Sequence, residues 1–158
     1  TLEGLQAVKN AAPENYPAGI RISATDWMDD VESWTVKSSI GLAKALEQLG
    51  AVYIHVSSGG LHEKQDIKIG AGYQVPFAEA IKQNISIPVI AVGLITEPEQ
   101  AEQILQTQQA DAIALARAIL YEPRWPWHAA AALGDEIAIS PQYLRCQPHG
   151  VKSLFKTF

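Results

Sequence analysis

The chain alternates short apolar runs with longer amphipathic ones. Leu2, Leu5 and Val8 recur three apart, which predicts a helix over Thr1–Lys9 with one apolar face. In Gly19–Ala24, Ile20 and Ile22 alternate with Arg21 and Ser23, the two-residue period of a strand. Ile40, Leu42, Ala43, Leu46 and Leu49 share a face of a helix predicted over Val36–Gly50, with Gly50 as its stop. Ala51–Ser57 reads as a second strand, and Gly59–Val75 as a long loop carrying glycines. Pro76 is placed to open a helix over Phe77–Ile85. Pro88–Leu94 is a third strand, apolar almost throughout. Thr96 and Glu99 have the spacing of a capping box ahead of a helix over Glu99–Gln106. Asp111–Ala116 is a fourth strand, Arg117–Tyr121 a short helix ended by Pro123, and Pro126–Leu133 a further helix. From Ser140 onward the tail reads as mostly irregular.

Strands that are apolar nearly throughout predict a parallel sheet with both faces covered. Helices alternating with such strands predict βα units. Successive strands stand about 25–35 residues apart, the size of a single crossover. Roughly four such units are present, whereas a (β/α)₈ barrel needs eight and about 250 residues. The fold class is therefore α/β, either a small doubly wound sheet or half of a barrel. An opening helix with an apolar face favours the half barrel, because that face needs something to pack on.

Composition narrows the classes of function. The chain has 158 residues, the size of one domain, and 47% of them are hydrophobic. Lys and Arg number 12 against 17 Asp and Glu, a net charge of −5, which disfavours a nucleic-acid binder. Cys146 is the single cysteine, so no internal disulfide or zinc-binding Cys cluster is expected. No apolar run approaches the ~20 residues of a membrane span, and no secretory signal pattern opens the sequence. The expected compartment is the cytoplasm.

In parallel α/β proteins, ligands bind beyond the carboxyl ends of the strands. Arg21 stands inside an otherwise small, apolar strand, where burial demands an anionic or acceptor-rich partner. That partner is either a cofactor or substrate, or a carboxylate on a helix. Ser57-Ser58-Gly59-Gly60 ends the second strand with small residues that let a ligand approach the backbone. His55 just before it reads as a satisfied core histidine. Gly93 near the end of the third strand, with Ala116 and Arg117 ending the fourth and opening a helix, suits a phosphate, although a turn glycine and a surface arginine fit the same spacing. Asp26 with Asp29 and Asp30 reads as a solvated loop, and the Trp125-Pro126-Trp127-His128 run as packing over a helix end.

The segments Arg21–Trp27 (RISATDW), Val56–Gly60 (VSSGG), Gly70–Phe77 (GAGYQVPF), Ala91–Ile95 (AVGLI), Ala114–Ala118 (ALARA), Pro123–His128 (PRWPWH) and Pro141–Arg145 (PQYLR) occur in one order. Together they resemble the Old Yellow Enzyme family, in its YqjM-like branch of ene reductases, from about Ala18 to Arg145. The resemblance implies the C-terminal half of a TIM (β/α)₈ barrel over residues 1–158, about strands 5–8, with 140–158 as its tail. It implies FMN as cofactor, NADPH or NADH as reductant, and an activated alkene as the substrate. By the same match, Arg21 contacts the flavin ring near N1 and O2, and Ala116 and Arg117 bind the FMN phosphate beside the Gly93 backbone. Arg145 corresponds to the arginine that reaches into a neighbouring subunit's active site, which implies a homo-oligomer, a dimer or tetramer. The family's substrate-anchoring histidine pair and its flavin-tuning cysteine precede the segment matched here. The alternative is a half barrel that pairs with itself, or a non-catalytic module for a phosphate or nucleotide. No metal site and no nucleic-acid or membrane partner is expected. An aldolase of the Schiff-base kind is disfavoured because no lysine ends a strand, Lys68 being in a loop.

Overall fold

The computed structural model describes residues 1–28 and 30–158. The chain divides into two compact units, Thr1–Leu94 with Ile104–Ala114, and Ile95–Gln103 with Leu115–Phe158.

The first unit is built on four parallel strands, β1 (Ile20–Ser23), β2 (Ile54–Ser57), β3 (Val89–Ala91) and β4 (Ala112–Ile113), in that spatial order. Each neighbour pair is consecutive in the chain, as βα units require. The helices are α1 (Leu2–Ala11), α2 (Val36–Gln48), α3 (Val75–Lys82) and α4 (Pro98–Gln106), the last of which crosses the unit boundary. Thr35 caps α2 by accepting the Ser38 N–H at 3.3 Å. Lys9 of α1 donates to the Leu49 carbonyl at 2.6 Å, placing a cation where the α2 dipole ends negative. Leu5 of α1 is buried at 4% exposure, while Leu2 and Val8 on the same apolar face are exposed.

Register fixes which side chains share a face of the sheet. Arg21 pairs with His55, Ile22 with Val56, His55 with Ile90, Val56 with Ala91, and Ile90 with Ala112. Successive residues point to opposite faces, so Ile22, Ile54, Val56, Val89 and Ala91 lie together and are buried. Helix α3 packs on β2 and β3 and is itself braced by α2. The opposite face carries Arg21, Ser23, His55, Ser57, Ile90 and Ala112, all exposed or half-buried. The expectation of a sheet covered on both faces therefore holds for one face only.

The amino ends of the strands are held by carboxylates. Glu47 Oε1 accepts from the N–H groups of Ser86 (2.6 Å) and Ile87 (3.2 Å). Asp111 Oδ2 accepts from Val89 N–H at 2.9 Å, and its other oxygen pairs with Lys82.

In the second unit, α5 (Arg117–Tyr121) and α6 (Trp125–Leu133) precede β5 (Ile137–Ile139) and β6 (Phe155–Thr157). These two strands pair in parallel, and Pro141–Cys146 is a 3₁₀ helix. The tail is therefore more regular than the polar spacing after Ser140 predicts. Its strand forms because Ile139 and Leu154 bury against a partner that is distant in sequence. Trp127 packs edge-on against Tyr143 (5.4 Å) and Phe155 (5.1 Å), and the Arg124 guanidinium lies over its ring at 4.2 Å. Trp125 donates its indole N–H to the Thr96 carbonyl at 2.6 Å, while His128 stays exposed rather than packed. The Thr96 N–H is met by Gln100 Oε1 at 3.2 Å, one residue beyond the expected capping-box partner Glu99.

Candidate functional site

The carboxyl end of the sheet in the first unit gathers polar side chains that the strands themselves position. Arg21 leaves β1 on the half-exposed face, and its Nε donates to Ser57 Oγ at 3.1 Å. Ser57 in turn donates to the Ile22 carbonyl at 3.0 Å, so the arginine is anchored through a neutral hydroxyl. Among the described residues no carboxylate forms an ion pair with Arg21, which removes the helix-carboxylate alternative there. Arg21 lines a hollow of about 350 Å³ with Ser23, Asp26, Trp34 and Leu61. Asp26 is committed elsewhere: its Oδ2 accepts the Trp34 N–H at 2.9 Å, and its carbonyl accepts from Gln65 at 2.6 Å. It is a loop clamp rather than a solvated member of an acidic pair; Asp29 lies outside the described residues.

His55 is not the satisfied core histidine that the sequence predicts. Its Nε2 is buried without a hydrogen-bond partner. Burial and the nearby Arg21 charge hold its pKa below the ordinary histidine value, so the ring is neutral near pH 7.

Beside these residues runs a chain of hydrogen bonds that sequence reasoning missed. Trp27 Nε1 donates to Ser58 Oγ (2.9 Å), Ser58 donates to Gln74 Oε1 (2.8 Å), and Gln74 Nε2 donates to the Val92 carbonyl (3.1 Å). Gln74 is 5% exposed and ties the end of β2 to the end of β3 at the start of α3. Trp27 has φ +54°, uncommon for a residue with a side chain. It is braced by Phe77, edge-on at 5.2 Å, and by Tyr73 at 6.3 Å. The visible signal was a lone glutamine between Tyr73 and Val75, polar just ahead of the apolar opening turn Val75–Ala78 of the coming helix.

Gly93 sits just past β3 with φ +129°, where a Cβ would come within 2.8 Å of Gln74 Nε2. Backbone freedom and the close approach of Gln74 both require glycine here. Ala116 and Arg117 belong to the second unit, where Ala116 precedes α5 and Arg117 is exposed. Helix α5 is five residues long, so its dipole adds little, and an anion there depends on the arginine. Arg145 is exposed on the 3₁₀ helix of that unit.

The first unit is an α/β sheet of parallel strands, a class of protein in which ligands bind beyond the carboxyl ends of the strands, and here that end carries polar residues beside an anchored arginine. Residues 1–136 match the model of the NADH:flavin oxidoreductase / NADH oxidase family, and the chain belongs to that family, the Old Yellow Enzyme family its motifs resemble. Flavin mononucleotide with NAD(P)H as reductant is the cofactor chemistry of that family. The chain is 45% identical over 129 residues to an NADPH dehydrogenase of Geobacillus sp. (strain WCH70), covering 82% of this chain and 37% of that protein. It is 39% identical over 129 residues to the NADPH dehydrogenase of Bacillus subtilis (strain 168), with the same shares covered. It is 36% identical over 141 residues to an NADH oxidase of Thermoanaerobacter brockii, covering 86% of this chain and 21% of that protein. The chain thus spans little more than a third of the NADPH dehydrogenases named here. Among solved structures, 6-hydroxypseudooxynicotine amine oxidase from Pseudomonas geniculata N1 aligns with a TM-score of 0.62 at 23% identity, over 83% of this chain and 20% of that one. D-glucarate dehydratase from Agrobacterium tumefaciens aligns with a TM-score of 0.53 at 17% identity, over 88% of this chain and 32% of that one. Both are likenesses of fold alone. Among the described residues no helix is long and apolar enough to cross a membrane.

Proposed function

We propose that this chain is the flavin-phosphate side of an FMN-dependent NAD(P)H oxidoreductase that reduces activated alkenes, and the C-terminal half of its barrel. The observation that carries the reading is Arg21: a guanidinium held by a neutral hydroxyl, on the half-exposed sheet face, without a carboxylate partner among the described residues. Such a cation suits a ring that becomes electron-rich, because its charge is free to stabilise negative charge on the ligand. The orphaned Nε2 of His55 on the same face also fits a group that brings hydrogen-bonding atoms.

When bound, FMN supplies hydride acceptance from NAD(P)H and hydride donation to the alkene. Arg21 would orient the ring and balance its charge. Arg117 and the backbone at Ala116 would hold the phosphate, a contact for which Arg offers a two-pronged donor. Arg145 completes the site of a neighbouring subunit in a homo-oligomer.

The test is to supply the purified protein with FMN and record its visible spectrum and intact mass. Retained flavin, bleached by NADPH without oxygen and restored by an α,β-unsaturated ketone, supports the reading. A protein that never retains flavin, even as part of the full-length chain, overturns it. Arg117→Ala is expected to weaken FMN retention about tenfold or more, since a charged two-point contact is lost; unchanged affinity would exclude the phosphate role.

A second reading, self-pairing into a whole barrel, is favoured by β1 and β4, the edge strands of the four-stranded sheet among the described residues. Unpaired strand edges invite association. A solution mass of a single chain would remove it.

A further inference from the structure

The unused nitrogen of His55 lies beside Arg21. The two residues are register partners on adjacent strands, so their side chains leave the same face of the sheet. His55 Nε2 is the one buried side-chain nitrogen or oxygen without a hydrogen-bond partner among the described residues. A buried polar atom left unmet costs stability, and native structures retain few of them.

The charged and titratable groups around this ring are few. Arg21 is the one from β1, and Ile90 faces it from β3. Helix α3 packs on β2 from the opposite, buried face, and its Glu79 and Lys82 are engaged by Gln109 and Asp111 respectively. Arg21 itself already spends its Nε on Ser57. No carboxylate among these groups is bonded to the imidazole, and the ring is neutral.

We propose that His55 is a flavin-binding residue whose Nε2 takes its missing hydrogen-bond partner from the bound FMN ring, next to the contact made by Arg21. This rests on the reading of Arg21 as the flavin contact. A neutral ring there leaves the arginine's charge uncompensated, whereas a carboxylate would cancel it. The ligand-free protein carries the cost of the unmet nitrogen, and FMN relieves it, so the same atom favours the loaded state.

The experiment titrates FMN into protein labelled with ¹⁵N-histidine and follows all four histidines, with His55→Gln used to assign the His55 signals. The Nε2 resonance of His55 is expected to move with the midpoint of the visible titration, while His62, His128 and His149 stay still. His55→Leu is expected to bind FMN about tenfold more weakly, the size of one good hydrogen bond, yet to melt at the same or a higher temperature without FMN. His55→Gln keeps a polar atom and is expected to recover most of the affinity. A purely packing role predicts the reverse, with lower melting temperature and unchanged affinity, and overturns the inference. FMN binding with a stationary Nε2 resonance also overturns it, while leaving the flavin reading intact. Absence of FMN binding by the unsubstituted full-length protein overturns both.

Discussion

The two faces of the parallel sheet carry different chemistry on the same strands. One face is Ile22, Ile54, Val56, Val89 and Ala91, all buried. The other is Arg21, Ser23, His55, Ser57, Ile90 and Ala112, none of them buried. The first face is where the unit gains its stability, since apolar area removed from water is the main favourable term in folding. The second holds a cation, hydroxyls and an unmet imidazole nitrogen, groups that contribute little to folding and are suited to a ligand. Stability and binding are thus divided by the two-residue period of the strand, and substitutions on the two faces should have opposite signatures.

The largest effect on stability is expected from Ile54→Ala. Ile54 is wholly buried at 0% exposure, and such truncations cost about 2–5 kcal/mol. Denaturant unfolding would check it, and a loss below about 1 kcal/mol would break the division between the faces. Gln74→Ala should follow at about 1–3 kcal/mol, because Ser58 and the Val92 carbonyl lose a buried partner. It also separates the carboxyl end of the sheet from its half-exposed face, since flavin affinity should fall less than in Arg21→Ala.

Asp111→Ala should cost about 1 kcal/mol at pH 7 through the lost Val89 N–H bond and a partly exposed ion pair. Burial pushes the Asp111 carboxyl up, but the Lys82 and Val89 hydrogen bonds and the Lys82 charge outweigh it, leaving it below the ordinary value. The stabilisation is therefore complete above the unfolded value of about 4 and lost as pH falls through the lower folded value. The gap between wild type and variant should close in that acidic range, which thermal melts across pH would show. Arg21→Ala should change stability least, within about 0.5 kcal/mol, because the side chain is exposed. Its expected effect is on flavin reduction; wild-type reduction with clearly lower stability would reverse the assignment of the faces.

His55 gives a smaller pH effect of opposite origin. Burial and Arg21 hold its folded pKa low, so the unfolded chain binds the proton more readily. Stability should fall as pH drops below about 6.5, and His55→Gln should flatten that slope.

Much of the fold was legible because it depends on local periodicity. The order of helices and strands through α6 follows from apolar spacing, Gly50, Pro76 and Pro123, features that act within a turn or two of chain. Arg21, Gly93 and Arg117 were also visible, as a charge in an apolar strand, a glycine after one strand and an arginine after the next. The β5–β6 pair was not, because Ile137 and Phe155 are partners only once the intervening chain has turned back. Neither was the Trp27–Ser58–Gln74 chain, whose members come from three separate segments. The sequence by itself determined the parallel α/β elements and the residue types available for chemistry, since composition and periodicity are local properties, and its ordered motifs carried the resemblance to the family. Tertiary structure alone decided that Arg21 stands free of any carboxylate among the described residues, that Ser57 anchors it and that His55 is left unmet. Those facts depend on strand register, which brings residues dozens of positions apart to within hydrogen-bond reach.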